Sequence, residues 1–144
     1  MLVATHMAAA AALYKLSSID KLSRPARLAA IPAVLILSFA SHFALDAIPH
    51  RELQMPGNVA IGLLVIAWLC LIAWRDKDVL VLATAFLGAL PDLMWVLKIS
   101  PAYDAIHSSL HFSGVRVPSY ILLVELAGMV ALMIIVSLRR SRSQ

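Results

Sequence analysis

Apolar residues run along this chain in long blocks, with none of the period-two alternation of half-buried strands. The blocks cover residues 2–19, 28–48, 59–74, 79–99 and 119–138. A membrane-crossing helix takes about 20 such residues. Block 59–74 has no polar residue at all, and block 28–48 has Pro32 only near its start. Block 79–99 is interrupted by Gly88 and by Pro91-Asp92. The first block is Ala-rich and broken by Thr5, His6 and Lys15. It is the short one, a crossing segment or an interfacial helix. A cleaved signal peptide is disfavoured there, since nothing positive precedes Lys15. Between the blocks lie a basic stretch (17–27), a loop (49–57), a tight turn (75–78) and a polar loop (100–117). The pattern predicts one all-α domain over residues 1–144, a polytopic membrane bundle of four to five transmembrane helices.

Composition agrees with that pattern. The chain is 62% hydrophobic and 14% charged, with a mean hydropathy of +0.89. Soluble domains are about 45–50% apolar and about 25% charged. The net charge of +4 therefore reads as topology. Residues 15–27, the 75–78 turn and the tail hold nine of the twelve Lys and Arg, and Arg51, Lys98 and Arg116 fall on the other side. Cytoplasmic loops carry the excess of basic residues, so the C-terminus is expected in the cytoplasm. No basic patch is interleaved with surface aromatics, and nucleic acid is not expected as a partner. The single cysteine, Cys70, sits inside an apolar block and forms no internal disulfide.

The polar residues within this apolar frame carry the chemistry. His42 and Asp46 are four apart and share a helix face. His50 follows one turn later, beyond Pro49. Under the predicted topology His42, His50, His107 and His111 fall on one side of the membrane, and His6 joins them if the first block crosses. Asp92 and Glu125 lie within blocks, roughly 10 Å from the same side at 1.5 Å per residue. Thr84, Gly88 and Asp92 share one face, where small residues let a neighbouring helix come close. Ionisable groups at membrane depth pair, meet water or bind ions. Imidazoles with carboxylates and no thiolate suit a divalent metal, zinc first. The expected ligands are His42, Asp46 and Asp92, with His50, His107 or His111 completing the set and Glu125 as general base. Three rival readings stay open: a His–Asp hydrogen bond or metal that only staples the bundle, a haem- or quinone-binding electron carrier, and an ion or proton conductor.

Thr5-His6, Ser41-His42-x-x-Leu45-Asp46 and Gly88-Ala89-Leu90-Pro91-Asp92 resemble the short signatures of the LexA-binding, inner-membrane-associated metal-dependent hydrolases. That family places its L-P-D element before S-H-x-x-L-D; here the order is reversed. His107-Ser-Ser-Leu-His111 stands where the family has an H-R-G-x-T-H element. The resemblance implies a bacterial inner-membrane protein with His6, His42, Asp46 and Asp92 among its metal ligands. A site opening at headgroup level further suggests a lipid-linked or ester substrate.

Overall fold

The structure is a computed structural model and describes residues 1–51, 53–110 and 117–139. The described elements are all helical: α1 (Val3–Ser17), α2 (Arg24–Asp46), α3 (Met55–Asp76), α4 (Leu80–Val96), α5 (Pro101–Leu110) and α6 (Ile121–Leu138), with a 3-10 turn at Ile19–Lys21. Helices α2, α3 and α6 are each long and apolar enough to cross a membrane, and α4 with α5 forms a fourth candidate span bent by 118°. The chain is an all-α membrane-type bundle.

The first block is the axis of this bundle. Helix α1 packs against α2, α3, α4 and α6. Ala4, Ala8, Ala10, Ala11 and Ala12 are at most 1% exposed, so α1 touches its neighbours on every side. Alanine makes this arrangement feasible, because small side chains allow close helix approach. The closest approach is to α4. A Cβ on Gly88 would lie 2.6 Å from the His6 carbonyl oxygen and 2.7 Å from the Ala10 Cβ. Only glycine lets α4 sit this near.

Polar contacts fix both ends of α1. At its start, Glu125 Oε1 of α6 accepts the Leu2 N–H at 2.6 Å and the Thr5 hydroxyl at 3.1 Å, while Asn58 Oδ1 of α3 accepts the Val3 N–H at 3.1 Å. These acceptors meet backbone donors that a helix N-terminus leaves open. At its other end, buried Lys15 reaches Asp76 at 2.8 Å and Asp78 at 3.4 Å, and Tyr14 donates to Asp78 at 2.7 Å. Arg75 also pairs with Asp76 at 2.8 Å and donates to the Ser137 carbonyl at 3.0 Å.

The helices between these ends alternate in direction. One end of the bundle holds His6, His42, Asp92 and Glu125, and the other holds the Lys15 cluster. Of the nine described Lys and Arg, only Arg51 and Lys98 lie at the histidine end.

Helix α4 fills most of the 79–99 block, and the chain departs from expectation just after it. Helix α4 stops at Val96, and Lys98 adopts a left-handed φ of 52°. Pro101 then opens α5 at a helix start, where its missing N–H costs nothing. The first half of the expected polar loop is thus a helix folded back against α2 and α4.

Gly88→Ala tests the close approach. Overpacking of this kind typically costs about 1–3 kcal/mol, seen as a lower thermal midpoint in detergent. Gly128→Ala is the control, since an added Cβ there meets nothing within 4 Å. Equal midpoints for the two variants would contradict the α1–α4 contact.

Candidate metal centre

Four side chains from three helices converge at the histidine end. His42 and Asp46 come from the last turns of α2, one helical turn apart on a buried face. Asp92 comes from α4, just after Pro91, and His107 from the re-entrant α5. One ligand atom from each of the four lies within 4.8 Å of all the others. His42 Nε2 is 2.8 Å from Asp46 Oδ2, 3.1 Å from His107 Nε2 and 3.6 Å from Asp92 Oδ1. His107 Nε2 is 3.7 Å from both Asp46 Oδ2 and Asp92 Oδ1. Ligands bonded at about 2.0–2.1 Å to a tetrahedral zinc stand roughly 3.3–3.4 Å from one another. The observed separations bracket that value.

The surroundings orient these atoms. His42 Nδ1 lies 2.9 Å from the Gly88 carbonyl oxygen. That oxygen can only accept, so Nδ1 carries the proton and donates. In a neutral imidazole the lone pair is then on Nε2, the atom that faces Asp46, Asp92 and His107. Hydrogen bonding of one ring nitrogen to a backbone carbonyl is the usual support of a metal-binding histidine. Gly88 thus does two things: it admits α1 and offers its carbonyl to His42. His107 is held by rings. Tyr103 stacks on it with centroids 5.7 Å apart at 19°, and Trp95 lies 5.9 Å away. The Tyr103 hydroxyl donates to the Pro91 carbonyl at 3.0 Å, tying α5 to the α4 turn that carries Asp92.

Charge favours a cation among these groups. Asp46 and Asp92 bring two carboxylates to the end of an apolar bundle, where burying charge is costly, and the N-terminal ammonium of Met1 lies 3.9 Å from Asp46 Oδ1. Protons on the imidazoles would have to sit close together. The His6 and His42 rings stack at 3.9 Å, and His42 and His107 at 5.4 Å. A divalent cation held here would add positive charge without crowding protons onto the stacked imidazoles.

The remaining expected residues fall in different places. His6 is fully buried beside the four, its Nε2 3.1 Å from Asp46 Oδ1. It contacts the carboxylate oxygen that faces away from His42 and so orients Asp46. His50 lies past the end of α2, where its Nδ1 is 2.8 Å from the Ile48 carbonyl; it is outside the four-residue group. Glu125 is also outside it, accepting the two hydrogen bonds that cap α1. His111 lies outside the described residues. Two supporting groups escaped the sequence reading, Tyr103 and the Gly88 carbonyl. Tyr103 had a usable signal, its four-residue spacing from His107 on one helix face. A backbone carbonyl has none.

No family model, curated protein or solved structure matches the chain.

Asp46→Asn keeps the side chain's shape and removes a charge, and His42→Ala removes a nitrogen ligand. Both variants are expected to lose bound metal after purification in detergent, measured by elemental analysis. Glu125→Gln is expected to keep its metal and to unfold at lower temperature, because hydrogen bonds to a charged group contribute about 1.5–3 kcal/mol. Metal lost from Glu125→Gln, or kept by Asp46→Asn, would contradict these assignments.

Proposed function

We propose that the chain is a metal-dependent hydrolase of a bacterial inner membrane, with zinc the metal that this ligand set suits. The observation that carries the reading is the convergence of His42, Asp46, Asp92 and His107 with the His42 lone pair turned inward. These residues would hold a divalent ion, which would supply a bound water of lowered pKa and polarise the bond to be cut. Asp92 is the outlying member of the set. Its side chain is 17% exposed, against 2% or less for the other three. It borders a cavity of about 370 Å³ that also reaches His107 and Ser108. Water and substrate would approach from that side, where Asp92 would help hold the metal or, if left off it, would take the proton of the attacking water. The resemblance to the LexA-binding membrane hydrolases supports the same assignment. It also supports the bacterial membrane, while the basic residues gathered at the Lys15 end support a cytoplasmic C-terminus.

A second reading has its own support. Four protein ligands complete a tetrahedral zinc, and complete sets are typical of structural sites. The centre would then staple α2, α4 and α5 together. A haem carrier fits poorly, since His42 and His107 approach within 3.1 Å and leave no space for a porphyrin plane between them.

Turnover separates the two. Nitrophenyl esters and phosphodiesters in detergent are suitable probes. Hydrolysis is expected to stop with a chelator and return with zinc. Asp92→Asn should retain metal and lose about 10²–10⁴-fold in rate, the usual contribution of a general base. Metal removal that melts the bundle, with no probe ever hydrolysed, would favour the staple. Orientation is tested in cells with Cys70 replaced. Single cysteines at positions 53 and 108 should react with an impermeant reagent from outside, and one at position 77 should not. Reaction at 77 alone would reverse the assigned sides.

A further inference from the structure

A second, larger cavity of about 470 Å³ continues from the first. Its walls are α3 and α4, and Val3 and Met7 of α1 form its floor. The two cavities share Val3, Met55, Asn58, Asp92 and Val96. Beyond Asn58 and Asp92 the lining of the larger one is entirely apolar. It extends from Met55 to Leu69 on α3 and from Leu82 to Val96 on α4. Either stretch is about 21 Å at 1.5 Å per residue, longer than the roughly 15 Å that one leaflet's hydrocarbon occupies. Gly62 lines this slot, and a Cβ there would meet nothing within 4 Å.

We propose that this groove holds one acyl chain of a bilayer phospholipid, with the lipid's ester and phosphate oxygens beside Asp92 and His107. The head-group half of the inference rests on the metal reading above; the chain half rests on the groove. Polarity divides the two cavities as it divides an amphiphile. The wide cavity touches the metal-ligand residues only at Asp92, and the smaller one adds His107, Ser108 and Trp95. Asn58 stands at the junction. Its Oδ1 is occupied by the Val3 N–H, which leaves its amide N–H groups as the donors for an ester oxygen. The groove's α3 wall belongs to a span-length apolar helix, so the bilayer supplies the ligand sideways. A water-soluble substrate would have to enter a slot with almost no polar wall.

The test uses the full chain in nanodiscs containing a small fraction of phosphatidylethanolamine with a diazirine midway along one acyl chain. After irradiation, crosslinks are mapped by peptide mass spectrometry, and metal is measured on the same samples. Crosslinks are expected to concentrate on Ile66, Leu69, Leu82 and Phe86. Gly62→Phe should reduce them about tenfold, the loss expected when roughly two methylenes of buried contact are displaced, with metal content unchanged. Gly62→Leu is a smaller block for use if the phenylalanine variant does not fold, and Leu123→Phe on the exposed face of α6 is the control. Crosslinks spread evenly over the exposed faces of α2, α3 and α6, or untouched by both Gly62 variants, would overturn the proposal while leaving the metal reading intact. Focused, Gly62-sensitive crosslinks on a protein that binds no metal would support the lipid groove and sink the metal reading instead. Displacement of the probe by palmitate but not by unlabelled phosphatidylethanolamine would overturn the phospholipid assignment.

Discussion

Two carboxylates are held at the end of an apolar bundle within reach of the same imidazole nitrogen, and the rest of the structure follows from that constraint. Asp46 Oδ2 at 2.8 Å and Asp92 Oδ1 at 3.6 Å both face His42 Nε2. In water such a group would be unremarked. In a medium that solvates ions poorly such a group calls for positive charge nearby, and the N-terminal ammonium 3.9 Å from Asp46 Oδ1 supplies part of it. The Gly88 carbonyl takes the His42 Nδ1 proton, and His6 stacks on the same ring. The set could hold a metal cation.

The position of α1 follows from the same requirement. Three converging helices must be held to within about half an ångström for a metal set to be preorganised. A central alanine-rich helix supplies a rigid post against which α2, α4 and α6 all register. Its polar ends lock that register: Glu125 and Asn58 at one end, Lys15 with Asp76 and Asp78 at the other. Removing one partner of such a buried pair costs about 3–5 kcal/mol. The Lys15 cluster is therefore a structural lock distant from the histidine end. Glu125 serves the same purpose at the site end, which is why its carboxylate is engaged with backbone and hydroxyl donors.

Much of this was legible in the chain. Block length gave the helices, and the i, i+4 spacing placed His42 beside Asp46. The Gly88-to-Asp92 motif marked both the close helix contact and a member of the His/Asp group. What hydropathy could not reveal was packing order. An Ala-rich block looks the same whether lipid or protein surrounds it, so the central place of α1 had no sequence signature. The bend before α5 was hidden for a similar reason. Residues 97–101 look like the end of a span running into a loop, and only the left-handed Lys98 and the helix-opening Pro101 turn the chain back. His107 consequently reached the site from a segment expected to be a loop. Glu125 caps α1 through Oε1, and a buried carboxylate near the site reads equally well in sequence as a base and as a helix cap.

X-ray absorption at the zinc edge, on wild-type protein purified without added chelator, tests the central claim most directly. The account predicts about one metal per chain with an inner shell of nitrogen and oxygen only, at about 2.0–2.1 Å, and with imidazole scattering beyond it. Protein that purifies without metal and takes up none when zinc is supplied, or a shell containing sulfur at about 2.3 Å, would contradict it.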